Sequence, residues 1–144
     1  MSNGPFRSAR KKRLRVLIAD DHDVIREQIQ EIICRHPRME VCAFAKDGME
    51  AVDKASHLRP DFVILDISMP GLNGLDAAAQ IRKIVPKSKV IMLSMHESHH
   101  LEAAALRAGA DAIISKALAG ELLLTAIHQL TSKDAAEPGI PAAE

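Results

Sequence analysis

The sequence predicts an α/β domain: a five-stranded, doubly wound parallel sheet with helices on both faces. Two observations carry this. Short apolar runs alternate five times with stretches whose apolar residues recur at helical spacing. The short runs are close to continuously apolar rather than alternating, as strands covered on both sides must be. At 144 residues the chain fits a single core, since a chain of this size buries roughly two-thirds of its unfolded surface.

The elements follow in order. Leu14–Ala19 is the first strand, apolar except for Arg15, and Val24, Ile25, Ile29, Ile32 and Ile33 mark a helix that stops near His36–Pro37. Val41–Ala45 is the second strand. Gly48–Leu58 is a helix with Met49, Val52, Ala55 and Leu58 inward. Pro60–Asp61 opens the third strand, Phe62–Leu65, with Asp66 at its carboxyl end; Met69 to Gly74 is a turn-rich loop. Leu75–Val85 is a helix ended by Pro86, Val90–Leu93 the fourth strand, and Ser98–Ala108 a helix stopped by Gly109. Ala112–Ile114 is the fifth strand. Leu118–Leu130 is the last helix, with Leu122, Ala126, Ile127 and Leu130 inward. Residues 1–13 read as a basic flexible arm, 14–131 as the domain, and 132–144 as a disordered tail.

Ligands of open α/β sheets sit beyond the carboxyl ends of the strands. The polar residues there are Asp20 and Asp21 after strand one, Asp66 after strand three, Ser94 after strand four and Lys116 after strand five. Taken singly each is ordinary: an acidic pair after a strand is often a helix cap, a role open to Asp21 or Asp23, and a lone lysine is usually solvated. Together they are a constellation. Three converging carboxylates repel one another and call for a cation, and oxygen ligands with room for water suit Mg²⁺. Asp66 can then act as a nucleophile toward a phosphoryl group. Lys116 and Ser94 can hold its oxygens.

The run Val16-Leu17-Ile18-Ala19-Asp20-Asp21-His22, with Asp66-Ile67-Ser68-Met69-Pro70-Gly71-Leu72-Asn73-Gly74, Ser94 and Lys116, resembles the receiver domain of bacterial two-component response regulators. Ser94 to Glu97 and Gly109 to Asp111 look most like the subfamily that usually carries a helix-turn-helix output domain. The resemblance implies a flavodoxin-like strand order 2-1-3-4-5 and a stand-alone receiver in a phosphorelay. Asp66 would be the phosphoacceptor, and Asp20, Asp21, Asp66 and the backbone carbonyl of Ser68 would hold Mg²⁺. Ser94 and Lys116 would bind the phosphoryl group. The implied partner is a sensor histidine kinase or phosphotransfer protein, with homodimerisation through the last two helices open. The chain would be a self-phosphorylating signalling module, with no turnover of an external substrate.

Departures from that family qualify how a signal is transmitted. The position three before Lys116, usually Tyr or Phe in the family, is Ile113, and the chain has no Tyr or Trp. Lys116 is followed by Ala117 where many members have Pro, so a cis bond, costly without proline, is not expected. No helix-turn-helix domain fits after the last helix. Two alternatives therefore stand beside the main reading: a degenerate receiver used as a scaffold, and a DNA-binding regulator shortened before its output domain. A haloacid-dehalogenase-like phosphatase also uses an Asp nucleophile and Mg²⁺, but with a D-x-D pattern after its first strand.

Other features carry less. Arg7, Arg10, Lys11, Lys12, Arg13 and Arg15 put six positive charges before Val16, leaving 13 basic residues against 19 acidic in the remainder. Such a short run is usually a solvated tail, and no nucleic-acid binding is expected from it. Cys34 and Cys42 lack metal or redox spacing and read as small hydrophobes. His96, His99 and His100 read as solvated helix-start residues, with His96 a candidate for tuning phosphoryl lifetime. Leu101, Leu106 and Leu124 would mark a docking face if exposed together. No apolar run approaches the ~20 residues of a membrane span, and no secretory segment follows the basic start; a cytoplasmic location is expected.

Overall fold

A computed structural model of the chain describes residues 13–95 and 99–136. Five parallel strands, β1 (Leu14–Ala19), β2 (Met39–Ala45), β3 (Phe62–Asp66), β4 (Lys89–Ser94) and β5 (Ala112–Ser115), form one sheet in the order 2-1-3-4-5. The helices are α1 (Asp23–Cys34), α2 (Gly48–Leu58), α3 (Gly74–Ile84), α4 (His99–Ala108) and α5 (Ala119–Ala136), with a 3₁₀ turn at Lys116–Leu118. This is the doubly wound, flavodoxin-like fold.

Alternation along the strands divides the core in two. Leu17, Val63, Leu65, Val90 and Met92 face α2, α3 and α4, which answer with Ala51, Ala55, Ala77, Ala78, Ile81 and Ala105. Val16, Ile18, Phe62, Ile64, Ile91 and Leu93 face α1 and α5, which bring Ile29, Ile32, Ile33, Leu123 and Ile127. Arg15 interrupts the apolar run of β1 for a reason: its guanidinium donates to the carbonyl of Leu58 at 2.7 Å, satisfying a carbonyl at the end of α2. Its backbone N–H is taken by Asp61 Oδ2 at 2.8 Å.

Several expectations shift. The inward set of α2 is Ala51 and Ala55, with Gly48; Met49 is 70% exposed. On α5, Leu123 and Ile127 are buried while Leu122 faces out, because the stripe runs from Ala119 at four-residue steps. Val24 of α1 is also exposed. Cys34 is exposed and Cys42 half-buried, both as free thiols. Leu101 and Leu124 pack half-buried against opposite core clusters and only Leu106 is exposed, so the three do not form one face. The last helix continues through Ala136 rather than ending near Leu130. Nothing from Thr131 to Ala136 breaks a helix. The arm before Arg13, and His96, lie outside the described residues.

Candidate functional site

Asp20 and Asp66 leave the carboxyl ends of the adjacent strands β1 and β3 and are buried, Asp66 to 2% exposure. Ser94 ends β4, one residue beyond the register partner of Asp66, and is buried. Lys116 follows β5 directly, and its side chain is 8% exposed. The parallel register places all four at one edge of the sheet. Asp21 joins them from the loop before α1, half-exposed.

Lys116 Nζ lies 2.8 Å from Asp20 Oδ2 and 3.2 Å from Asp66 Oδ1. Asp66 Oδ1 also accepts the Ser68 backbone N–H at 3.3 Å. Asp66 Oδ2 is buried without a hydrogen-bond partner. Burial, then the charge of Asp20, push the Asp66 carboxyl above its usual pKa, against the pull of Lys116. Burial pulls the Lys116 ammonium down, but its hydrogen bonds and charge interactions with Asp20 and Asp66 together outweigh that and leave its pKa raised. Three carboxylates against one ammonium leave a net charge of −2, which a divalent cation would balance. Ligand atoms of Asp20, Asp21, His22 and Asp66 lie within 4.8 Å of one another. The orphaned Asp66 Oδ2 and the carboxylates of Asp20 and Asp21 fit a hard divalent ion.

Neither Asp21 nor Asp23 caps α1. The N-cap is His22, with no side-chain cap bond, and its N–H donates to Asp20 Oδ1 at 2.9 Å. Arg26 secures the same loop by donating to the Asp20 carbonyl at 2.6 Å. On the other side of the site, the Gly74 N–H donates to the Ile67 carbonyl at 2.8 Å and starts α3. Asn73 caps that helix through the Asp76 N–H at 2.9 Å. The peptide bond after Lys116 is trans.

The sequence constellation of Asp20, Asp21, Asp66, Ser68, Ser94 and Lys116 thus falls on one edge. Two features were not anticipated: the direct bridging of Asp20 and Asp66 by Lys116, and the place of His22 in the cluster. The second had a sequence signal, since His22 follows the acidic pair immediately. The first had none, because the three residues are distant in the chain.

Residues 16–128 match the response regulator receiver domain family. Among relatives, a protein-glutamate methylesterase/protein-glutamine glutaminase of Thermotoga maritima is 45% identical over 72% of this chain and 30% of its own length. The Bacillus subtilis transcriptional regulatory protein LnrK is 33% identical over 83% of this chain and 54% of its own. The chain therefore spans about half, or less, of these relatives. The crystal structure of the response regulator domain of Thermotoga maritima CheB superposes with a TM-score of 0.78 at 37% identity, covering 84% of this chain and 98% of that one. A CheX–CheY–BeF₃–Mg²⁺ complex from Borrelia burgdorferi gives 0.76 at 29% identity, with 82% and 89% covered. With its fold, its carboxylate edge and these likenesses in agreement, the chain belongs to the receiver domains of two-component response regulators.

Proposed function

We propose that Asp66 accepts a phosphoryl group and that the resulting charge changes what the protein binds. The observation that carries this is the unequal environment of its two oxygens. Oδ1 is held by Lys116 and the Ser68 N–H, while Oδ2 is buried and unpartnered. An oxygen without a hydrogen bond has no partner to give up before it meets a cation or attacks phosphorus. In the step, Oδ2 bonds to phosphorus as the bond from phosphorus to the donor breaks. With a phosphohistidine donor protonated on its other ring nitrogen, the leaving nitrogen keeps the electron pair and the ring, holding that proton, ends as neutral imidazole.

Asp20, Asp21, Asp66 and the Ser68 carbonyl would hold Mg²⁺, which when bound neutralises phosphoryl charge. Lys116, already centred between two carboxylates, supplies a positive partner for a phosphoryl oxygen once one is on Asp66. Ser94, at the end of the neighbouring strand, supplies a hydroxyl. The Borrelia burgdorferi relative recorded with BeF₃ and Mg²⁺ supports this use of the edge.

Function as a signalling module rather than an enzyme acting on an external substrate fits this chemistry. The donor is a sensor histidine kinase or phosphotransfer protein in the cytoplasm. Among the described residues no helix is long and apolar enough to cross a membrane. Exposed Leu106 on α4 and Leu122 on α5 offer apolar contacts for a partner or second copy. Ile113 packs half-buried against the core, so transmission runs without an aromatic ring there.

Incubation with Mg²⁺ and acetyl phosphate, followed by intact mass, tests the acceptor. A gain of about 80 Da, one HPO₃ group, is expected for the native chain and not for Asp66→Ala. A native chain left unmodified both by acetyl phosphate and by a phosphorylated histidine donor would favour a scaffold.

A further inference from the structure

We infer that His22 is an additional ligand of this carboxylate site, one that Co²⁺, Ni²⁺ or Zn²⁺ engages and Mg²⁺ bypasses; this rests on the cation-dependent reading above. His22 Nδ1 lies 3.0 Å from Asp20 Oδ1 and 3.1 Å from Asp21 Oδ1. Neighbouring ligands of an octahedral ion with bonds near 2.1 Å stand about 3.0 Å apart. The ring nitrogen therefore already sits at a ligand-to-ligand spacing from two carboxylate oxygens, and an Asp66 carboxylate oxygen lies within 4.8 Å of them.

Three features keep the ring there. His22 is the N-cap residue of α1, in extended backbone conformation. Its own N–H is bound to Asp20 Oδ1 at 2.9 Å. Lys116 occupies the other Asp20 oxygen at 2.8 Å, so Oδ1 is the oxygen left toward the histidine. The independent pointer to a cation is Asp66 Oδ2, buried and without a partner.

The same Nδ1 contacts serve as hydrogen bonds when the ring carries its proton on Nδ1. A metal ion replaces that proton, and the neutral ring then carries its hydrogen on Nε2. Which ions do this follows from ligand preference. Imidazole suits the later first-row ions, whereas Mg²⁺ takes oxygen ligands and keeps its waters. His22 would thus be bypassed by Mg²⁺ and engaged by Co²⁺, giving one edge two coordination modes.

The test is calorimetric titration of the metal-free native chain, His22→Ala and Asp66→Asn with Mg²⁺ and separately with Co²⁺, with the visible absorption of bound Co²⁺ recorded. His22 has a 64% exposed side chain, so its alanine variant should fold, as circular dichroism would check. The other six histidines could bind Co²⁺ elsewhere, so only the Co²⁺ that Asp66→Asn eliminates is counted. The expected result for His22→Ala is a loss of at least about tenfold for Co²⁺, larger than any change for Mg²⁺, and an altered Co²⁺ spectrum. Equal Co²⁺ affinity and spectrum in the native chain and His22→Ala would overturn the inference. If Mg²⁺ still bound in that case, the phosphoryl reading would be untouched. Failure of the native chain to bind either ion would remove His22's role and the cation reading together, while phosphorylation of Asp66 is measured separately by mass.

Discussion

Gly74 packs onto the backbone of Asp66 so closely that no side chain fits between them. A Cβ on Gly74 would fall on the Asp66 carbonyl oxygen and lie 2.7 Å from Ile67 Cα and 2.9 Å from the Asp66 carbonyl carbon. The start of α3 is thereby a rigid stop against the end of β3, and it fixes the acceptor's backbone.

Gly74→Ala should therefore damage both stability and the site. Overpacking against backbone costs about 1–3 kcal/mol, read as a lower midpoint in urea. Phosphoryl incorporation should fall further than that loss predicts, because the displaced atoms belong to Asp66. A variant that folds less stably but phosphorylates at the native rate would show that the contact is only structural.

Asp66→Asn should raise thermal stability near neutral pH. The folded state raises the Asp66 pKa, by burial first and then by the Asp20 charge. A raised carboxyl favours the fold below its ordinary value of 3.8, and that contribution is lost as pH rises through the folded value. The ionised group at neutral pH is thus a liability that Asn removes. Melting curves at several pH values should show the gap closing in acid, and Mg²⁺ should narrow it by stabilising only the native chain.

Arg82 should be among the costliest surface-accessible residues to replace. It donates to the Gly109 carbonyl from Nε at 3.1 Å and from a terminal nitrogen at 2.7 Å, and to Pro86 and Ser88 carbonyls at 3.0 and 3.2 Å. It also pairs with Asp111, whose carboxylate accepts the Val90 N–H at 2.8 Å. Arg82→Ala should lose about 2–3 kcal/mol, the scale of charged hydrogen bonds. Arg82→Lys should recover less than half, since an ammonium cannot span the fork. Chemical denaturation of both variants decides it.

Glu50 makes helix α2 sensitive to acid. Its carboxylate accepts the Lys46 N–H at 2.7 Å while Asp47 accepts the Glu50 N–H at 2.8 Å, and Lys54 lies 3.1 Å away. The Lys46 bond is the main reason its pKa is lowered. A lowered carboxyl stabilises above its ordinary value of 4.5, and the contribution is lost as pH falls through the folded value. Glu50→Gln should cost about 0.5–1 kcal/mol at neutral pH, as a weakened cap does. The difference should vanish well below 4.5.

Much of this was legible because function and fold share one grammar here. Strand ends are marked by the change from apolar residues to Asp20, Asp66, Ser94 and Lys116, and parallel topology brings such ends together. Helix faces were less legible. Met49 and Leu122 are apolar at helical spacing yet exposed: Ala51 and Ala55 hold the inward positions of α2, and on α5 the neighbouring Leu123 takes the inward place. Arg82 gave no sign at all: an arginine before the end of a helix looks solvated until a glycine carbonyl 27 residues later is folded onto it.

The two halves of the core also differ in how they would tolerate change. Helices α2, α3 and α4 meet the sheet mostly through alanine, while α1 and α5 meet it through isoleucine and leucine. An alanine-lined seam has almost nothing to lose by trimming and everything to lose by enlargement, while the isoleucine-lined seam loses most by trimming. A saturation survey of substitutions should read as two opposite maps. On one flank the forbidden residues are the big ones, and on the other the small ones. The protein's evolutionary freedom is therefore sided: sequence drift can proceed by volume only on α1 and α5, and the flank carrying Gly48 and Gly74 must drift at constant size.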